Sequence, residues 1–190
     1  PAAVAITEEW NGTNWTEVND LSTARYGLGG SGTSTLALAF GGYTTTAVAN
    51  TEEWTGAGAP VGAWATGGSL NTARYGAVGS GTQTAALAAS GYTTTSVANT
   101  ETYNGAAWTE VGDQNTTAEG RGGGGSNTSS VIAGGYPFTS NSEEWNGTSW
   151  TEGNNLYSAR NNLRGTGVDN TAVIVAGGSN PGTWPPSGQS

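Results

Sequence analysis

Neither cysteine nor histidine occurs among the 190 residues, and lysine is absent as well. A chain without cysteine has no disulfide, no thiol nucleophile and no thiolate metal site, and its redox compartment is left open. Without histidine the usual general base and the imidazole ligands of zinc and copper are missing too. Paired carboxylates alone can still hydrolyse a glycoside, but such a pair is unique within a fold, whereas the glutamates here recur with a repeat. The expectation is therefore a protein that is not an enzyme, with no cofactor and no metal. Five arginines stand against 14 acidic residues for a net charge of −9, so phosphate backbones and anionic membrane surfaces are repelled. Apolar runs long enough to cross a bilayer are absent, and so is a signal-like opening. A start at Pro1 rather than Met reads as a processed product or an excerpt of a longer polypeptide.

What the chain does have is a fourfold repeat. Residues 7–15 (TEEWNGTNW) return as 51–64 (TEEWTGAGAPVGAW), 100–108 (TETYNGAAW) and 142–150 (SEEWNGTSW). A period of several tens of residues marks units that bury their apolar faces against one another. The 33 glycines follow no collagen period and hydrophobic residues still make up 34%, the composition of a turn-rich globular chain. One period reads as four strands. Strand A begins at Thr23 (TARYGLGGSG), strand B is the apolar run 33–42, a polar loop 43–46 follows, strand C covers 47–54 and strand D lies around Trp64. Asn-Gly joins C to D at Asn11-Gly12, Asn104-Gly105 and Asn146-Gly147, a strong hairpin signal because both residues tolerate positive φ. The remaining C to D turn, 55–63, is longer and holds Pro60. No segment carries a helical period.

These landmarks resemble the kelch repeat, the four-stranded blade of one group of β-propellers. The resemblance rests on an arginine opening strand A (Arg25, Arg74, Arg160) and a strand B ending in Gly-Gly (Gly41-Gly42, Gly134-Gly135, Gly177-Gly178). It also rests on an aromatic closing C (Trp10, Trp54, Tyr103, Trp145) and a tryptophan in D (Trp15, Trp64, Trp108, Trp150). Two departures are Ser90-Gly91 in place of one glycine pair and TAEGR in the third repeat, which sets Arg121 two residues late on the same strand face. The resemblance implies an all-β fold, a four-bladed propeller of four-stranded antiparallel blades. The chain starts inside a C strand (3–10) and stops after a B strand (173–178), so the halves make one blade. Pairing them is expected to close the ring and remove its edge strands; a stretch of a longer array is the competing reading. The propeller is expected over 1–179, with a tail rich in Pro, Gly and Ser at 180–190. The wording of the repeats is also similar to kelch-like arrays of marine bacteriophage structural proteins. That similarity implies a virion or other extracellular location, with other virion or assembly subunits as partners.

Each C strand carries a glutamate (Glu8, Glu52, Glu101, Glu143) and each A strand start an arginine (Arg25, Arg74, Arg121, Arg160), matched counts that point to structural ion pairs. Arginines converging on the axis as an anion site, as in sialidases, is the lesser reading, because the Asp-box pattern of that family is missing. The neighbouring glutamates (Glu9, Glu53, Glu144) face the other side of the strand, and Thr102 interrupts them, which disfavours a calcium-binding ring. The tryptophans are read as core. In the implied fold the D to A and B to C loops share one face, carrying Tyr26, Tyr75 and Tyr157 together with Tyr43, Tyr92 and Tyr136. Tyrosine offers a flat apolar ring with a polar tip, suited to a sugar ring or a protein surface. Tyr26 and Tyr75 are expected to pack between blades, which leaves Tyr43, Tyr92 and Tyr136 as candidate ligand-binding residues. The fourth repeat has Ser179 there, with Trp184 of the tail as a substitute. The expected function is a non-catalytic module for glycan or host-surface attachment on a phage appendage or other extracellular surface. A general protein-interaction propeller or a structural spacer is the alternative.

Overall fold

A computed structural model describes residues 2–56 and 62–181; Pro60 of the long turn and most of the tail, with Trp184, lie outside the described residues. All the regular structure within them is β-strand. The chain opens with β1 (Thr7–Trp10) and β2 (Trp15–Val18), followed by β3 (Gly29–Gly32), β4 (Leu36–Phe40), β5 (Thr51–Thr55) and β6 (Ala63–Gly67). Next come β7 (Val78–Thr82), β8 (Ala85–Ala89), β9 (Thr100–Tyr103) and β10 (Trp108–Glu110), then β11 (Gly122–Gly125), β12 (Ser130–Ala133), β13 (Ser142–Trp145) and β14 (Trp150–Glu152). The last pair is β15 (Arg164–Gly167) and β16 (Val173–Ala176). They form three four-stranded antiparallel sheets, β3 to β6, β7 to β10 and β11 to β14, flanked by the two-stranded sheets β1-β2 and β15-β16. The arrangement is propeller-like, with each complete sheet a blade.

The core lies between the blades. Along β8, Ala86 and Ala88 pack toward Leu38 and Phe40 of the first blade, while Leu87 and Ala89 pack toward Ile132, Trp145 and Trp150 of the third. Successive strand residues point to opposite faces, so a strand covered on both sides reads as one apolar run even though its period is two. Each large side chain buried this way contributes about 1.5–3 kcal/mol. Polar ties cross the same interfaces at fixed positions: the indole Nε1 of Trp64, Trp108 and Trp150 donates to the hydroxyls of Thr7 (3.0 Å), Thr51 (2.9 Å) and Thr100 (2.9 Å) of the preceding unit. Tyr103 makes a further tie, donating its hydroxyl to the Glu53 carboxylate of the first blade. Burial, and then this hydrogen bond, push the Tyr103 phenol from 10.0 up to about 12. The fold therefore holds the neutral phenol, and stability present below pH 10 declines as pH climbs from 10 toward 12. Tyr103→Phe is expected to flatten that decline in urea unfolding midpoints measured across this window; an unaltered slope would contradict the assignment.

The inner strands follow one another, β3 packed on β7, β7 on β11 and β11 on β15. They approach through glycine. A Cβ at Gly79 would stand 2.2 Å from the carbonyl oxygen of Gly30, so the first and second blades meet backbone to backbone. These strands start later than the Thr23 expectation, β3 only at Gly29, because Gly27 turns the chain at φ 64° just before it and leaves Tyr26 in an isolated bridge. The departure at Ser90 keeps the frame: Ser90 adopts φ 62° where Gly41 has 63° and Gly134 has 68°, and its hydroxyl donates to Gln114 Oε1 at 2.8 Å.

Ring closure across the termini is a correction. β1 pairs only with β2 and β16 only with β15, so segments 3–10 and 173–178 share no ladder. The inner strands β3 and β15 both line one cleft, but they are not in the close contact that joins β3 to β7, β7 to β11 and β11 to β15. Half a blade is left at each end of the array.

Candidate functional site

The repeated charges form three buried clamps, one in each complete blade. Arg25 lies 3.1 Å from Glu52, Arg74 2.5 Å from Glu101 and Arg121 3.0 Å from Glu143, all with side chains almost wholly buried. Each carboxylate also accepts backbone amides from the loop that leads into its own blade: Ser22 N to Glu52 (2.7 Å), Asn71 N to Glu101 (2.7 Å) and Asn115 N to Glu143 (2.6 Å). The arginines thus turn to separate glutamates and do not converge on a common point. In the first blade the approach is close but not aligned as a hydrogen bond, and the guanidinium nitrogens of Arg25 are buried without partners. Burial accordingly lowers the Arg25 pKa, with Glu52 opposing the shift; at Arg121 burial also lowers it and the Glu143 hydrogen bond opposes.

Arg121 reaches its clamp from an unexpected place. The bridge Glu119↔Tyr136 corresponds to Tyr75↔Tyr92, so Ala118 matches Arg74 and Arg121 stands three positions further on, past Gly120. Its guanidinium still donates to Thr116 O (3.1 Å), as Arg74 does to Thr72 O (3.3 Å). The remaining expected pair is not formed. Arg160 donates to Gly177 O at 3.2 Å and has a buried Nε without a partner, while Glu8 is exposed at the other end of the array.

Directly after the clamp arginines stand Tyr26 and Tyr75, so the clamps also fix an aromatic row. Tyr26 bridges Tyr43 and Tyr75 bridges Tyr92 across the strand ends. Ring centroids follow at 5.3 Å from Tyr26 to Tyr43, 5.3 Å from Tyr43 to Tyr75 and 5.4 Å from Tyr75 to Tyr92, tilted or edge-on as aromatic pairs prefer. Tyr26 is half exposed and the other three are partly so. Beyond Tyr92 the third repeat places Glu119 in the row; burial pushes its carboxyl above the usual range. Burial, then Glu119 and the neighbouring phenols, likewise raise Tyr75. Tyr136 stands apart from the row against Phe138 at 5.9 Å. Tyr157 is fully exposed, and in the fourth repeat Asn161 bridges Ser179. Tyr26, Tyr75, Glu119 and Asn161 rim a cleft of about 510 Å³ lined by all four inner strands.

Neither a protein-family model nor a curated protein matches the chain. What this face can do chemically follows from its side chains: a row of partly exposed phenols binds by ring contact and hydrogen bonding. Of the expected ligand-binding residues, the structure brings Tyr43 and Tyr92 into one surface and leaves Tyr136 separate. Tyr26 and Tyr75, read from the sequence as packing between blades, line the same face, Tyr75 with its ring 5.3 Å from Tyr43 of the preceding blade, and Glu119 was not singled out at all. The signal that finds them is register, because the residue before the Gly27, Gly76 or Gly120 kink faces the residue after each strand B glycine pair.

Proposed function

We propose that this chain is a non-catalytic binding module of a kelch-like propeller, and that the tyrosine row is its ligand surface. The observation that carries this reading is the continuous row of Tyr26, Tyr43, Tyr75 and Tyr92, tilted or edge-on to one another and held by bridges and clamps at near-constant spacing. An elongated platform of flat rings with polar tips suits an extended saccharide, whose successive rings present apolar faces and hydroxyl edges. The acidic, lysine-free surface favours a neutral ligand over an anionic one. A surface-attachment role on a virion appendage or another extracellular structure accords with the style of the repeats. Several weak subsites in a row act together, since linked contacts raise the effective concentration.

The test is a glycan array followed by titration of any ligand found, comparing the native chain with a Tyr43→Ala/Tyr92→Ala variant and with Tyr136→Ala. The double variant is expected to weaken binding about tenfold or more, equivalent to about 1.4 kcal/mol, and Tyr136→Ala to change it little. No binding by the native chain, or equal binding by all three, would reject the tyrosine surface and leave a structural spacer.

A further inference from the structure

The two ends of the array carry the separated halves of a fourth clamp. Arg160 has a buried Nε without a partner at one end, and the exposed Glu8 lies at the other, in the register position of Glu52, Glu101 and Glu143. A second mismatch is independent of charge. The indoles of Trp64, Trp108 and Trp150 each reach the first C-strand hydroxyl of the preceding unit, but Trp15 is 65% exposed. The hydroxyl left over in that series, Ser142 Oγ, donates to Asn154 O and receives no indole.

Apolar surface repeats the pattern. Leu38 and Leu87 are buried, whereas Ile174, at the same place in β16, is 67% exposed; Trp54 and Trp145 are buried, whereas Trp10 is 47% exposed. In the second blade Ala86 packs on Leu38 and Phe40 of the preceding blade. Ala37, its counterpart in the first blade, instead lines an apolar cleft of about 500 Å³ with Trp10, Trp15, Trp54 and Trp64. The cleft thus lies where strand B of a preceding unit would pack, and its tryptophans offer apolar surface to β16, whose sequence is VIVA.

We propose that the β15-β16 half-blade of a second copy of this chain occupies that cleft, with β16 pairing antiparallel to β1. The ladders of the complete blades set the register: Ala39↔Glu52, Ala88↔Glu101 and Ile132↔Glu143 correspond to Val175 opposite Glu8 and Ile174 opposite Glu9. Arg160 of one copy then meets Glu8 of the other, and Trp15 meets Ser142. The occupant is a second copy and not the same chain, because within one chain β1 pairs with β2 alone and β16 with β15 alone. The contact is head-to-tail, so it propagates unless the copies close into a ring.

Sedimentation of the purified chain with Glu8→Arg and Arg160→Glu tests this. The native chain is expected to rise with concentration from 19.0 kDa to twice that mass or more. Each variant alone remains at the single-chain mass, and an equimolar mixture regains the larger species, since mixed contacts restore opposite charges at both kinds of junction. Circular dichroism checks that both variants fold. The chain has no cysteine, which permits a second measurement: Glu9→Cys and Ile174→Cys, placed in separate copies and oxidised together, should form a product of twice the chain mass. A native chain that stays single at every concentration, an assembly indifferent to both charge variants, or a mixture of the two cysteine variants that yields no product joining position 9 of one copy to position 174 of another would each overturn the proposal.

Discussion

Arg74→Ala lowers the free energy of unfolding by about 3–5 kcal/mol, the cost of leaving one member of a buried ion pair uncompensated. Arg74 and Glu101 are fully buried at 2.5 Å, and the guanidinium also donates to Ala88 O at 3.2 Å, so Ala removes the counter-charge and a strand tie together. Arg74→Met with Glu101→Gln should recover part of the loss, because no charge is left buried and the Gln oxygen can still accept from Asn71 N. Arg160→Ala serves as the internal comparison. Its guanidinium donates one bond, to Gly177 O, and is partly exposed, so the loss should stay below about 1 kcal/mol. Urea unfolding of the variants reads these differences; equal losses at Arg74 and Arg160 would show that the clamp is not what stabilises the blade.

Gly79→Val costs about 3 kcal/mol, the upper end for overpacking a tight interior. A Cβ there would lie 2.2 Å from Gly30 O and 2.9 Å from Phe40 Cζ. The oxygen belongs to a strand backbone and no rotamer relieves the clash, so the first and second blades must move apart. At Gly30 the nearest atom to an added Cβ is 3.4 Å away, and Gly30→Ala should fall within about 0.5 kcal/mol of the native chain. Similar unfolding midpoints for the two variants would mean that the inner strands are not packed as tightly as described.

How much of this was legible depends on which physical signal each element carries. The Asn-Gly hairpins were readable because the signal is local: Asn11 Oδ1 accepts from Thr13 N and Asn14 N, both at 2.9 Å, and Gly12 sits at φ 94°. The apolar B runs announced themselves in the same way. The glycine-rich inner strands did not, since runs such as β11 (GGGG) are strands only through their neighbours. The placement of Arg121 was misjudged by counting from Thr-Ala, where the true anchor is the Glu119↔Tyr136 bridge. Ring closure was legible only as complementary halves. Whether they meet depends on the turn accumulated from blade to blade, which small packing differences set and no pattern of residue types encodes. The tyrosine row was half visible, because the loop positions of Tyr43 and Tyr92 were clear while the register that adds Tyr26 and Tyr75 is a property of the folded strand ends.

The tryptophan-to-threonine ties join each unit to the one before it and to no other. Mechanically that makes the molecule a one-dimensional chain of coupled units, whose stability is a sum of nearest-neighbour terms. The middle blade is held from both sides and opens only when a neighbour has opened, while the half-blades have one neighbour each and fray first. Loss of order therefore travels inward from the ends, and anything that caps an end lengthens the lifetime of the whole array.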